Sequence, residues 1–477
     1  MTASHDLIVI GAGPAGSSAA LAAARHGLSV ALIDDAMAAG GQVYRAPANG
    51  LDVPPSKRDA DFHTGEDLRH ALGQSNVDWK PGRTVWSIAA GYTVSAVGPA
   101  GVEDYEAPRL IAATGAHERV VPFPGWTLPG VIGLAAATIL LKSQGMVPGR
   151  RVVVAGCGPL LIAVAAKIVA AGGQVAAIVD LNGPSDWLRA LPRMARRPRL
   201  LMRGAGWVLD IARARIPIHF RHSITEAQGS ECIEKIAIGP VDRWGAPTGS
   251  SAYLPDADML VVGYGLVPGA EIPRILGAKM VYESDRGGWI PAVDDAGRTS
   301  VMGLFAAGDG AGIRGAEPAA LLGTLAGLAA ARDAGRLGQG AYEKSKQAMR
   351  TQLASYRPFA NAVGDMMALR PRQVAAIGPS TVVCRCEDIT RAGIDAAARD
   401  GALDVNQLKH FTRCGMGPCQ GRMCGDVAGE LLAQARGVPR AAVGYWTGRP
   451  PLRPIPLEDF IGTFTYGDLP IPKPAPL

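Results

Sequence analysis

The feature that most constrains the fold of this chain is a buried strand that leads into a glycine turn and an alanine-rich helix, beginning at Asp6. In such a turn the first glycine permits a tight bend, the second lets a pyrophosphate approach the backbone, and the third lets the helix pack on the strand. A second strand, residues 28–33, ends at an acid that is placed to accept a hydrogen bond from a ribose hydroxyl. This order predicts a βαβ dinucleotide-binding unit whose helix N-terminus faces the phosphates. The predicted contacts are Gly11, Gly13, Pro14, Ala15, Gly16 and Asp34.

The same pattern occurs a second time, in residues 152–161. Gly156, Gly158 and Pro159 repeat the first motif, and Asp180 falls beside the position of the ribose-binding acid. The third glycine is replaced by Leu161, whose branched side chain we expect to hold the helix off the strand and to crowd the phosphate turn. The sequence therefore predicts a second, degenerate nucleotide-binding domain. NAD(P), another adenine nucleotide such as ATP, and no ligand at all are three open alternatives for it.

Three further segments resemble the flavoprotein signatures that close over FAD. Residues 110–115 form a strand that ends in a small-residue turn, and residues 303–310 form a strand that ends in an acid before a predicted helix at 316–331. In those flavoproteins the aspartate binds the ribitol and the helix N-terminus faces the flavin. Residues 40–42, Gly-Gly-Gln, resemble the flavin-side loop. The resemblance implies FAD, with further contacts from Gly41, Gln42, Arg45, Thr114, Gly115, Gly308 and Asp309.

Four cysteines toward the C-terminus form two close pairs, Cys384-x-Cys386 and Cys419-x4-Cys424. Four soft thiolates suit zinc or an iron–sulfur cluster, and these pairs fit poorly the two C-x2-C knuckles of a zinc ribbon. Nearby cations would stabilise an anionic thiolate-ligated cluster. They are Arg385, Lys409, Arg413 and Arg422. These features favour [2Fe–2S] over zinc, over a disulfide pair and over scattered free thiols.

Composition limits the remaining function classes. A chain of 477 residues is long enough for two or three domains, and 48% hydrophobic residues, 61 glycines and 19% charged residues fit compact α/β layers. The net charge of +6 is modest, and we expect no nucleic-acid partner. Residues 189–203 are the arginine-rich exception, interpreted either as a solvated helix face or as a surface for a partner or an anionic nucleotide. The first apolar run lacks a basic leader and is no signal peptide, and the need for reduced cysteines predicts a cytoplasmic location.

Segments spread over nearly the whole chain resemble the α subunit of heteromeric dye-linked dehydrogenases. This family includes opine oxidases, hydrogen cyanide synthase, and D-hydroxyproline or L-proline dehydrogenases. The segments are residues 40–45, 123–131, 261–268 and 412–424. The cysteine segment resembles a bacterioferritin-associated-ferredoxin-like [2Fe–2S] domain, whose spacing is met by Cys419 rather than Cys414. The resemblance thus implies Cys384, Cys386, Cys419 and Cys424 as metal ligands.

The resemblance also implies a fold. It is an α/β, two-dinucleotide-binding-domain (glutathione-reductase-like) flavoprotein with a small C-terminal helical [2Fe–2S] domain. We expect an FAD-binding domain in residues 1–125 and 283–345, the second nucleotide-binding domain in 126–282, a linker helix in 346–379, the cluster domain in 380–440 and a Pro-rich tail in 441–477.

Family members oxidise an amino or imino acid in a separate, glycine-oxidase-like FAD β subunit, from which electrons pass to the α subunit. The resemblance therefore implies an FAD-dependent electron-relay subunit for the oxidation of an opine, hydroxyproline, proline or glycine. It also implies an FMN at the subunit interface, a small third (γ) subunit, and a quinone or redox protein as acceptor, at the periphery of the inner membrane. The residues agree with a relay, since no Ser/His/Asp order, paired carboxylates or C-x-x-C beside the flavin is found. His117, close to the Thr114-Gly115 turn, is interpreted as structural. Two alternatives remain, a stand-alone NAD(P)H-dependent FAD/[2Fe–2S] reductase and a non-catalytic cluster-binding scaffold.

Overall fold

The computed structural model describes residues 3–54, 58–254 and 256–461. The first part of the chain builds most of one parallel sheet and a three-stranded antiparallel meander. Its elements are β1 (Ala3–Ser4), β2 (Leu7–Ile10), α1 (Pro14–Ala24), β3 (Val30–Ile33), α2 (Ala60–Gly73), β4 (Asp78–Lys80), β5 (Thr84–Ile88), β6 (Thr93–Gly98), β7 (Gly101–Glu106), β8 (Leu110–Ala112) and β9 (Ala116–Glu118).

The middle part builds a second parallel sheet with its own antiparallel meander. Its elements are β10 (Val131–Gly133), α3 (Leu134–Ser143), β11 (Arg151–Gly156), α4 (Pro159–Ala170), β12 (Gln174–Asp180), α5 (Pro184–Met194), α6 (Pro198–Arg213), β13 (Ile218–Phe220), β14 (His222–Gln228), β15 (Lys235–Pro240), β16 (Ala252–Leu254), β17 (Met259–Gly263), β18 (Leu266–Pro268), α7 (Glu271–Ile275) and β19 (Met280–Glu283).

The last part returns to the first sheet and then forms a helical cysteine-bearing domain. Its elements are β20 (Gly288–Pro291), β21 (Leu304–Ala306), α8 (Ala316–Asp333), α9 (Gln339–Met367), α10 (Pro371–Ala375), β22 (Val382–Cys384), β23 (Ile389–Thr390), α11 (Arg391–Arg399), α12 (Val405–Thr412), α13 (Gly425–Arg436) and α14 (Leu457–Ile461). Short 3-10 helices lie at Ser284–Arg286, Gly308–Ala311 and Arg440–Val443.

Two five-stranded parallel sheets form the centres of the two nucleotide-binding-type domains. Their strand orders are β21-β8-β2-β3-β4 and β10-β17-β11-β12-β13. Strands β2 and β3 are buried at every residue, as the two covered faces of a parallel sheet require. Because β21 joins the first sheet after the whole second sheet has been completed, the first domain is discontinuous in sequence. The predicted fold class, a two-dinucleotide-domain α/β flavoprotein fold, is confirmed.

Helices α1 and α8 pack closely on one face of the first sheet because both are built from small residues. A Cβ on Gly323 would lie 1.9 Å from the carbonyl oxygen of Ala15, and a Cβ on Gly327 would lie 2.2 Å from that of Ala19. No larger residue fits at either glycine without moving a helix. The N-termini of α1 and α8 are thereby held side by side at the carboxyl edge of the sheet.

The cysteine domain packs α11, α12 and α13 around an apolar core that includes Ile394, Leu408 and Leu431. The same core continues into the second nucleotide-binding domain through buried residues such as Tyr264 and Met367. Of the expected tail, the chain after α13 runs back over the domain as far as residue 461, and residues 462–477 lie outside the described residues. Within the described part of the chain, no helix is both long and apolar enough to cross a bilayer.

Candidate functional site

The turn between β2 and α1 has the geometry that the first glycine motif predicts. Gly11 has a φ of +101°, and a Cβ there would lie 2.4 Å from the carbonyl oxygen of Ala113. A Cβ on Gly16 would lie 1.7 Å from the carbonyl oxygen of Gly11, so helix and strand meet without a side chain between them. At Gly13, by contrast, an added Cβ would meet only the Cα of Gly41, at 3.8 Å. The backbone at Gly13 is therefore open on the side from which a phosphate would approach.

The predicted ribose acid, Asp34, lies beside this turn at the end of β3. Its carboxylate accepts hydrogen bonds from the backbone N–H of Ala12 at 2.5 Å and of Ala36 at 2.7 Å. Burial raises the pKa of Asp34 to about 6, while these two hydrogen bonds oppose the rise. A neighbouring donor such as a ribose hydroxyl would stabilise the ionised form further.

The structure brings the other predicted flavin-side turns to the same edge of the sheet. The hydroxyl of Thr114 donates to the carbonyl oxygen of Gly269 at 2.5 Å, and Gly115 accepts from the N–H of Gly269 at 2.8 Å. A Cβ on Gly308 would lie 2.7 Å from the Cβ of Ala15, which places the β21 turn against the start of α1. Asp309 follows it, and its Oδ1 accepts from the N–H groups of Arg314 and Gly315 at 2.8 and 3.1 Å.

The loop after Asp34 closes over the glycine turn and offers an unsatisfied donor. A Cβ on Gly41 would lie 2.9 Å from the Cα of Gly13. Gln42 is exposed, whereas the buried Nε of Arg45 has no hydrogen-bond partner among the described residues. An open phosphate turn, an acid at the ribose position and an orphaned guanidinium nitrogen together fit a dinucleotide such as FAD.

The second motif forms the same turn, but the turn is covered. Gly156 has a φ of +147°, and a Cβ on Gly158 would lie 2.6 Å from the side chain of Met367 at the end of α9. Leu161 does not disturb the domain, because it is fully buried in the core of α4 and its sheet. The group that obstructs the phosphate position is thus Met367, which sequence reasoning missed because it lies far along the chain.

Asp180, the acid of the second motif, is occupied by its own neighbours. It accepts from the backbone and side-chain N–H groups of Asn182 at 2.9 and 3.2 Å and from the indole N–H of Trp187 at 2.8 Å. Burial raises the pKa of Asp180 to about 6. A cavity of about 420 Å³ opens beyond it, lined in part by Asn182, Arg193 and Arg370. The structure therefore brings Gly156, Gly158, Pro159 and Asp180 together, but directs none of them toward an open dinucleotide cleft.

Three cysteine sulfurs meet in the interior of the C-terminal domain. The Sγ atoms of Cys384, Cys414 and Cys424 lie within 4.8 Å of one another, and all three residues are buried. The S–H groups of Cys414 and Cys424 donate toward Cys384 and lower the pKa of its thiol to about 2, which leaves a thiolate beside two thiols. All are free rather than disulfide-bonded. A buried group of this kind can hold a soft metal ion.

The other two predicted ligands lie at the outer side of this group. Cys386 is exposed and hydrogen-bonds with the partly buried Cys419. A Cβ on Gly417 would lie 2.2 Å from the Cβ of Cys386, so the loop that carries Cys414 and Cys419 passes directly over the first cysteine pair. The structure thus places Cys414 with the buried thiols although the spacing had set it apart. The predicted ligand set Cys384, Cys386, Cys419 and Cys424 stays a prediction.

The cysteine loop rests on Trp446, a residue that sequence reasoning missed. Added Cβ atoms on Gly415, Gly421 and Gly425 would lie 3.0, 2.7 and 2.5 Å from its indole ring. The density of glycines between the cysteines is the sequence signal for this close packing.

Two charged contacts join the cysteine domain to the rest of the molecule. Arg119 pairs with Asp426 at 2.6 Å, and Arg422 pairs with Glu271 at 2.8 Å. Beside them lies a small cavity of about 50 Å³, which His117 also lines. Burial lowers the pKa of His117, so it is neutral near pH 7. His117 therefore lies at the junction of the two domains, as a structural residue would.

Comparison with known proteins adds the family context. The model of the pyridine nucleotide-disulphide oxidoreductase family matches residues 5–342, and that of the sarcosine oxidase A3 domain matches residues 379–462. The chain is 36% identical to an opine oxidase subunit of Agrobacterium tumefaciens (strain Ach5), over 95% of this chain and 91% of that protein. It is 34% identical to hydrogen cyanide synthase subunit HcnB of Pseudomonas protegens, over 95% of this chain and 97% of that protein. The crystal structure of L-proline dehydrogenase from P. horikoshii has the same fold, with a TM-score of 0.70 at 20% identity, over 96% of this chain and 79% of that chain.

Proposed function

Because this chain belongs to the family of hydrogen cyanide synthase subunit HcnB and the matching opine oxidase subunit, and to the FAD-dependent oxidoreductases, we propose that it is the electron-transferring α subunit of a heteromeric dehydrogenase. The amino or imino acid, an opine, hydroxyproline, proline or glycine, is oxidised in a glycine-oxidase-like β subunit. The α subunit receives the electrons and passes them to an acceptor other than O2, such as a quinone or a redox protein. The complex works in the cytoplasm or at the inner face of the membrane.

The observation that carries this proposal is the docking of the thiol domain on the flavin-type domain. Arg119 lies directly after the strand that follows the Thr114-Gly115 turn, and Asp426 lies two residues beyond Cys424. Their contact at 2.6 Å is buried on both sides. It holds the two candidate cofactor sites in one fixed arrangement, as an electron relay within a single chain requires.

The chain's own residues suit the two groups. Gly11, Gly13 and Asp34 would hold FAD, and the buried cysteines would hold a [2Fe–2S] cluster. When bound, the flavin supplies two-electron chemistry and the cluster supplies one-electron transfer. Arg422, fixed by Glu271, puts a cation beside Cys419, where it would stabilise an anionic cluster. An FMN at the subunit interface and a small γ subunit complete the proposed assembly.

The relay is favoured over a stand-alone NAD(P)H-dependent reductase by the second domain. A reductase would bind its nicotinamide nucleotide on the Gly158 turn, which Met367 covers, and would use Asp180, whose carboxylate is already taken by Asn182 and Trp187.

The test is expression of the chain alone and together with a glycine-oxidase-like partner subunit. The chain alone should retain FAD but reduce no dye with proline, hydroxyproline, opines or glycine, and co-expression should restore dye reduction with one of them. Dye reduction by the isolated chain with any of these substrates would contradict the proposal.

A further inference from the structure

Helices α5 and α6 expose an unusual concentration of aliphatic side chains. Leu188 is 68% exposed, Leu191 45%, Met202 73%, Val208 51% and Leu209 49%. Exposed aliphatic groups that lie together on a folded surface mark a site that another apolar phase covers. We refer to the outer surface of α5, α6 and the turn between them as the α5–α6 face.

The arginines of this helix pair divide into two sets. The inward set anchors the helices to the body of the protein: Arg193 pairs with Asp365 at 2.7 Å, and Arg203 with Asp61 at 2.7 Å. Arg197 also belongs to it, because its guanidinium lies 3.5 Å from the ring centre of Tyr356. The outward set is exposed between and beside the aliphatic residues. It consists of Arg189, Arg196, Arg199, Arg213 and Arg215.

The outward set is nearly unopposed by acids. Residues 184–215 contain only two acids, of which Asp186 lies 2.8 Å from Arg221 and 3.6 Å from Arg189. The other, Asp210, lies 3.5 Å from Arg213 on the same helix. The remaining members of the outward set form no ion pair with any residue that the structure describes. They are Arg196, Arg199 and Arg215. The surface is therefore both apolar and strongly cationic.

We propose that the α5–α6 face docks the protein on an anionic lipid bilayer, with the aliphatic side chains at the acyl boundary and the outward arginines among the headgroups. An amphipathic helix surface with basic residues flanking Leu, Met and Val is the form that interfacial binding takes. A protein partner is less well matched, because protein-binding hot spots are enriched in exposed aromatic residues and poor in Leu and Val. The two tryptophans of the pair, Trp187 and Trp207, are half-buried against the core.

The test is co-sedimentation of the purified protein, with its partner subunit where it forms one, with lipid vesicles. We expect binding to vesicles containing phosphatidylglycerol, and none to pure phosphatidylcholine vesicles at high salt. The double variant Arg196→Glu/Arg199→Glu should bind at least about tenfold more weakly. Met202→Gln/Leu209→Gln should weaken binding about tenfold even at high salt, since the lost groups are apolar.

Matched controls lie elsewhere on the surface. Arg399→Glu changes an exposed arginine of α11, and Met302→Gln changes a side chain that is 94% exposed. Neither should alter vesicle binding, and none of the four variants should change dye reduction by the assembled complex in solution. Failure of the wild-type protein to sediment with anionic vesicles would overturn the inference. So would equal losses in the controls, or loss of the partner subunit instead of lipid in the arginine variant. Each of these results leaves the relay proposal intact.

Discussion

The Nε of Arg119 lies 2.6 Å from the Oδ2 of Asp426, and both side chains are buried where the cysteine domain meets the flavin-type domain. Arg119 also donates to the carbonyl oxygens of Met367 at 2.8 Å and Tyr264 at 3.2 Å. One guanidinium therefore satisfies groups from the second nucleotide-binding domain, the end of α9 and the start of α13. This makes it the polar centre of the domain junction.

Removal of the carboxylate from this pair should be costly. Asp426→Ala leaves a buried cation without its partner, which we expect to lower the free energy of unfolding by about 3–5 kcal/mol. Urea unfolding followed by circular dichroism measures it. The matched control is Asp295→Ala, which removes an exposed partner of Arg350 at 3.2 Å and should cost less than about 1 kcal/mol. Similar losses in the two variants would show that the buried contact has no special weight.

Local patterns predicted much of the fold and of the first site. Gly11, Gly16 and Asp34 are close in sequence and act through backbone geometry that recurs wherever a strand, turn and helix meet, so their positions followed from the motif. Boundaries were also close: the helix expected at 316–331 is Ala316–Asp333. The confirmed family resemblance supplied the rest of the domain order.

What the sequence did not reveal depends on contacts between distant single residues. Arg119 and Asp426 are 307 residues apart and belong to no periodic pattern. Met367 covers the Gly158 turn only because α9 happens to end there, whereas the expected obstruction, Leu161, is absorbed into the core. Such pairings are decided by tertiary packing, which spacing along a chain does not encode.

A methyl group at the first phosphate turn should separate folding from flavin binding. Gly13 has a φ of −68°, and its Cβ position is free of close contacts, so Gly13→Ala should fold normally. The same methyl would stand where the pyrophosphate approaches the backbone. We expect FAD affinity to fall at least about tenfold, measured by flavin retention and fluorescence titration, with an unchanged melting temperature. Gly338→Ala, at another open helix N-cap, should change neither. Full flavin binding by Gly13→Ala would place the cofactor elsewhere.

The cysteine ligands can be resolved by single Cys→Ser variants. Cys384 and Cys424 belong both to the set predicted from spacing and to the buried trio, so either change should abolish bound iron and the EPR signal of the dithionite-reduced protein. The discriminating pair is Cys414 and Cys419. From the spacing we expect Cys414→Ser to keep the signal and Cys419→Ser to lose it. The opposite result would assign the buried trio as the core of the metal site.

Reduction of the flavin by nicotinamide nucleotides should be slow. Met367 lies over the Gly158 turn and Asp180 has no free acceptor, so NADH and NADPH lack both anchoring points. In stopped-flow mixing of the assembled complex, the amino acid substrate should bleach the flavin readily, while NAD(P)H should not do so on the turnover timescale. Met367→Ala tests the obstruction alone and should not restore reduction, because Asp180 remains occupied. Rapid bleaching of the wild-type protein by NAD(P)H would favour the reductase alternative.

The buried carboxyl of Asp180 should make stability depend on pH in a defined direction. Burial raises its pKa from the ordinary 3.8 to about 6, so between these values the folded state binds more protons than the unfolded state. Stability must then fall as the pH rises through this window, and the full penalty is present above about pH 6. Between about pH 4.5 and 7.5 this amounts to roughly 2 kcal/mol. Asp180→Asn keeps an acceptor for Trp187 without the charge, so its unfolding free energy should decline by that much less over the same range. Urea titrations at the two pH values measure the difference, with the exposed Asp295→Asn as control. If Asp180→Asn follows the wild-type pH dependence, the carboxylate is stabilised in the folded state by groups other than Asn182 and Trp187.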